Sequence, residues 1–87
     1  MTPSSDQRVE LVRAQTEELR RRLAAQYERA ADIFERSAQL AEEHAELERR
    51  HGHVSGEATE RQRAKFAHDA AWRARQNALR LVPAPPP

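Results

Sequence analysis

His44, Glu48 and His51 stand at i, i+4 and i+7, and Glu48-Arg-Arg-His51 has the Glu-x-x-His form with which helical bundles hold paired metal ions. On a helix these spacings bring the three side chains to one face. His68 joins them if the chain folds back near Val54, which sets it opposite residues 40–44. The chemistry would be a carboxylate–imidazole metal site. Two facts oppose it. Glu-x-x-His arises readily in a Glu-rich helix, and a returning segment offers only Glu57, Glu60 and Asp69, near the turn or off the apolar face. The expectation is therefore no metal, with the histidines in or beside a packed seam. An imidazole packed there favours its neutral form, with a pKa below about 6.5, opposed by Glu43 and Glu48 nearby.

No other constellation supports catalysis. Ser37 sits among alanines, Tyr27 has no base beside it, there is no Gly-rich phosphate loop and cysteine is absent. The sequence predicts a protein that is not an enzyme and has no cofactor. Nucleic acid or ribosome binding is the rival reading, on the basic clusters "LRRRL" at 19–23 and "RQRAK" at 61–65. With a net charge of +1 the electrostatic drive is small unless charge is segregated. Phe34, Phe66, Trp72 and Tyr27 are the only aromatic side chains that could stack on bases, and most of them suit a core better.

The elements that must position these residues are helical. Leu, Ile, Val and Phe number 14 of 87 residues, a thin supply for an independent core, while alanines number 16. Alanine favours helix and gains little by burial, so association is the natural source of further stability. Fourteen of the fifteen basic residues are Arg, which with the alanines suggests a GC-rich bacterial genome. No apolar run approaches a membrane span and "MTPSSDQRVE" has no signal-peptide core, so no membrane partner and a cytoplasmic location are expected.

Residues 1–5 read as a tail and cap, with Ser4 and Gln7 spaced as a capping box. No Gly or Pro interrupts residues 6–51, allowing one helix of roughly 70 Å. Gly52 stands where a left-handed helix stop belongs, and residues 52–56 read as a turn. Helix 2 is expected over 57–82, capped by Ser55 or Thr59, followed by a Pro-rich tail at 83–87 that could also suit a proline-reading groove. The expected fold is all-α: an antiparallel helical hairpin, long helix against shorter helix, that dimerises into a four-helix bundle.

Heptads carry the long helix. Positions d are Val12, Leu19, Gln26, Ile33, Leu40, Leu47 and Val54; positions a are Val9, Thr16, Leu23, Ala30, Ser37, His44 and His51. Upstream of Leu23 only this narrow stripe is apolar, the mark of a coiled-coil seam. From Leu23 onward alanines fill b, at 24, 31, 38 and 45, and Tyr27, Phe34 and Ala41 fill e. Four apolar positions in seven are too many for one neighbour. The small a and b residues are read as the surface where helices come close, with d and e supplying bulk.

The predicted oligomer interface on helix 1 comprises Leu23, Tyr27, Ala30, Ile33 and Phe34, then Ser37, Leu40, Ala41, His44 and Leu47. Helix 2 adds Ala67, Ala71, Trp72 and Ala78. Residues 23–51 form the hairpin core with helix 2, leaving 6–22 as a projecting arm whose partner-binding residues are Val9, Val12, Arg13, Leu19, Arg20 and Arg22. Arms paired with each other, parallel or antiparallel, set Arg near Arg. An acidic protein helix would relieve this, although Glu17–Arg21 and Glu18–Arg22 can also neutralise the charges within the helix. The functional expectation is a small helical interaction or scaffolding protein that binds itself and a protein partner.

Overall fold

The computed structural model describes residues 4–82, and the predicted terminal tails at 1–3 and 83–87 lie outside them. Two helices make up the described chain, with no strand among the described residues: α1, Ser5–Arg50, and α2, Val54–Leu81. Ser4 opens α1 with a complete capping box. The Gln7 N–H donates to Ser4 Oγ at 3.2 Å and the Ser4 N–H donates to Gln7 Oε1 at 2.9 Å, satisfying two otherwise orphaned donors.

The far end of α1 closes on Gly52, whose φ of 74° is the left-handed conformation that a side chain disfavours. The Gly52 N–H donates to the Arg49 carbonyl and the His53 N–H to the Glu48 carbonyl, the paired bonds of a Schellman stop. The reversal is tighter than residues 52–56. α2 begins at Val54, three residues before position 57, with His53 as an N-cap that makes no side-chain bond. Ser55 and Thr59 lie inside the helix, and the Thr59 hydroxyl donates back to the Ser55 carbonyl. Gly56 lies under the Glu48 side chain, which would have to move aside for any larger residue. A Cβ there would stand 2.6 Å from Glu48 Oε2.

The helices run antiparallel: His44 lies beside Glu60, Glu42 beside His68, and Asp32 beside Arg75. Every buried side chain among the described residues is an alanine. On α1 these are Ala24, Ala31, Ala38 and Ala45, one per heptad, with Ala41 flanking; on α2 they are Ala64, Ala67, Ala70, Ala71, Ala74 and Ala78. Tyr27, Ala30 and Phe34 pack half-buried against Ala31, Ala71 and Ala74. Small residues let the helices lie close, but each alanine removes only about one methyl from water, worth about 0.8 kcal/mol.

Between Ser4 and Leu23 every residue is exposed. The first buried residue of α1 is Ala24 and the last of α2 is Ala78. The result is a rod of 75 × 30 × 13 Å with a radius of gyration of 21.1 Å, where a compact chain of this length would have about 12 Å.

Candidate interaction surface

The alanine seam divides the hairpin into two edges. On one, α2 reaches over α1 with charge. His68 Nε2 lies 2.7 Å from Glu42 Oε1 and His68 Nδ1 lies 3.2 Å from Glu35 Oε2. Arg75 donates to Glu35 at 3.0 Å and lies 3.7 Å from Asp32. With a carboxylate at each ring nitrogen, His68 satisfies both only when both carry protons, as in the imidazolium. Its pKa is raised above the ordinary value, first by the hydrogen bond to Glu42 and then, against desolvation, by the charges of Glu35 and Glu42.

The other edge is an apolar groove of about 650 Å³. Phe34, Ser37, Leu40, Ala41 and His44 form its α1 wall; Thr59, Gln62, Arg63, Phe66 and Ala67 form the α2 wall, with Glu60 at the margin. Leu40 is 55% exposed and Phe66 68%. Beyond the groove the a/d stripe continues through Ile33 and Leu47, both exposed, and into the arm through Leu23, Leu19, Val12 and Val9, exposed as well.

The structure thus distributes the interface residues named from sequence over three places. Phe34, Ser37, Leu40 and His44 share the groove, with Ile33, Leu47 and Leu23 along the same stripe. Tyr27 and Ala30 pack on the alanine cluster. Ala41, Ala67, Ala71 and Ala78 are buried in the seam within the chain, although Ala41 and Ala67 also floor the groove. Trp72 is exposed on a different side of α2: six residues after Phe66, it stands about 120° around the helix from it. Phe66 is the large apolar groove residue that sequence reasoning left out of the interface, along with the polar Thr59, Glu60, Gln62 and Arg63. Its heptad row, Thr59, Phe66 and Arg73, carries no apolar period to reveal it.

The histidines part company. His44 lines the groove, its Nδ1 4.0 Å from Glu60, while His68 stands on the charged edge, so the two do not meet. His51 Nδ1 lies 2.8 Å from the Leu47 carbonyl, and Glu48 faces His53 at 2.7 Å. No three His, Cys, Asp or Glu side chains converge on a metal position among the described residues. At His68 the pKa moves up, because carboxylates rather than apolar side chains surround it.

In the arm, Glu10–Arg13, Glu17–Arg21 and Glu18–Arg22 pair along the helix at 3.2, 3.9 and 3.0 Å. At the other end of α1, Arg49 and Arg50 hold Glu46 down to about 2, Arg49 through its hydrogen bonds foremost. No described helix is long and apolar enough to cross a membrane. Compared with protein-family models, curated proteins and solved structures, the chain matches none.

Proposed function

We propose that this chain is a non-catalytic, cytoplasmic helical interaction protein of bacterial type that associates with itself along the groove edge, closing a four-helix assembly. A second surface, the basic-flanked arm, remains for a coiled-coil partner. One observation carries the reading: among the described residues every fully buried side chain is an alanine, while thirteen larger apolar side chains stay exposed. A buried Leu, Ile or Phe is worth about 1.5–3 kcal/mol, so the greater part of the available hydrophobic free energy lies outside the hairpin. The accessible surface is 7227 Å². A compact monomer of this mass exposes about 5200 Å². The surplus, about 2000 Å², is of the size that stable association removes.

The nucleic-acid reading receives less support. In the basic clusters, Arg21 and Arg22 pair with Glu17 and Glu18, Arg61 lies beside Glu57 and Arg63 beside Glu60. Such clusters present little net positive field to phosphate. Sedimentation velocity at micromolar to high micromolar concentration tests the proposal, with 0.1–0.5 M salt as a second axis. A folded species of twice the chain mass that persists at high salt is expected. A helical 10.0 kDa monomer at all concentrations overturns it.

A further inference from the structure

Resting on the self-association just proposed, we infer that the second copy docks antiparallel, with the upper part of its arm lying in the groove, so that each α1 crosses the other near Ala30–Ile33. Only the upper arm, residues 19–23, then seats in the partner's groove, and the residues before Arg13 pass beyond the end of the partner's α1, free for a further coiled-coil partner.

Three observations lead there. The first is shape. Along the groove stretch of α1 the a positions are small or polar, Ser37 and His44, whereas the arm carries Leu19 and Leu23. In an antiparallel coiled coil each a residue faces a d residue of its neighbour. Crossing at Ala30–Ile33 sets Leu23 against Leu40, Leu19 against His44, Thr16 against Leu47 and the polar Gln26 against Ser37 of the second copy. Bulk meets gap, and polar meets polar.

The second is charge. The arm's flanking positions are basic, with Arg13 and Arg20 at e and Arg22 at g, so arms laid on each other set Arg near Arg, even though Arg13 and Arg22 also pair with Glu10 and Glu18 along the helix. The turn-proximal end of α1 flanks its stripe with Glu43 at g and Glu48 at e. Antiparallel helices oppose g with g and e with e, and this crossing sets Arg22 against Glu43 and Arg13 against Glu48. None of the ion pairs within the described chain involves Glu43. The same rule brings Tyr27 beside Phe34, and its one like-charged contact is Arg29 with Arg36. Moving the crossing one half-heptad toward the arm instead opposes Arg22 with Arg36 and Arg8 with Arg50; moving it the other way opposes Arg22 with Arg50 and Arg36 with itself. The acidic helix that the arm requires is the turn-proximal half of another copy of this chain.

The third is extent. α2 covers α1 only as far as Ala24, and the groove lies between Phe34 and His44. This crossing sets residues 19–29 of the second copy along the groove and 13–18 along the rest of α1 up to Arg50, so the exposed stripe from Arg13 to Leu23 gains a neighbour.

Disulfide capture in the full-length chain tests this, since no native cysteine interferes. Leu19→Cys and His44→Cys change exposed side chains and leave the alanine seam intact. Mixed, equilibrated and oxidised, the two variants should yield a covalent heterodimer, and Leu19→Cys alone should yield none. A covalent homodimer of Leu19→Cys, or a sedimenting dimer in which the mixture does not crosslink, overturns the antiparallel docking while leaving self-association standing. A monomer by sedimentation overturns both. Charge exchange gives a second readout. Arg22→Glu and Glu43→Arg should each weaken the dimer, and the double variant should recover it; no recovery overturns the crossing proposed here.

Discussion

The two edges of the hairpin come from the same pair of helices and finish differently. On the His68–Arg75 edge, α2 reaches α1 with side chains that satisfy themselves against Asp32, Glu35 and Glu42. On the Phe34–Phe66 edge, the helices leave Leu40, His44 and Phe66 facing outward, and none of the described residues covers them. One edge closes on paired charges and the other ends in exposed apolar side chains. Because surface ion pairs contribute little and buried apolar area contributes much, the apolar edge should dominate the behaviour of the protein.

The sharpest way to break this contrast is a charge in the exposed stripe. Leu40→Asp places a carboxylate where a second copy would bury it, at a cost of several kcal/mol. Sedimentation should show the dimer lost at all accessible concentrations, with helical circular dichroism falling as the hairpins separate. The matched change on the other edge, Glu35→Gln, should leave the sedimenting mass unaltered. Equal effects of the two would mean that the edges are not distinct.

A smaller loss should follow from overfilling the seam that both edges share. Ala71 is fully buried against Ala31 and Ala74. Ala71→Leu adds bulk where no space exists and should destabilise the hairpin by about 1–3 kcal/mol, read as a lowered melting temperature. Smaller again is Arg75→Ala. Its ion pairs are 39% exposed on the Arg side, so the expected change is within about 1 kcal/mol and diminishes with added salt.

How much of this was legible follows from which residues carry a period. The alanines at 24, 31, 38 and 45 recur every seven residues, and the long Gly- and Pro-free run before Gly52 permits a single helix; both can be read along one strand of text. Assigning faces to neighbours could not. The alanine row is centred between b and e, so α2 takes that side and leaves a and d outward, a choice made by the fit of Ala64, Ala71 and Ala78 against it. Phe66 was hidden because its row shows no repetition. The start of α2 was hidden because backbone alone makes it: the Glu57 N–H donates to the His53 carbonyl, and no capping side chain marks the place. The partners of His68 were hidden because Glu35 and Glu42 lie on the far side of a reversal whose register depends on a turn of three residues, His51 to His53.

The finest distinction between the edges is their response to pH. His68 has a folded-state pKa raised above 6.5, chiefly by its hydrogen bond to Glu42, with Glu35 on the other ring nitrogen. The folded chain therefore binds this proton more tightly than the unfolded chain does. The stabilisation is fully present below the unfolded value of about 6.5 and disappears as pH rises through the folded value. Above pH 5.5, beyond the ordinary carboxylate range, the melting temperature of the parent should exceed that of His68→Ala most near pH 6, and the gap should narrow steadily toward pH 8.5. The ring is partly exposed, so the effect should be modest and should shrink with salt. A gap between parent and His68→Ala that is constant over the range would mean that the imidazole is held by packing alone. A gap that widened toward pH 8.5 would mean that the neutral ring is the bound form and that Glu35 and Glu42 do not hold it.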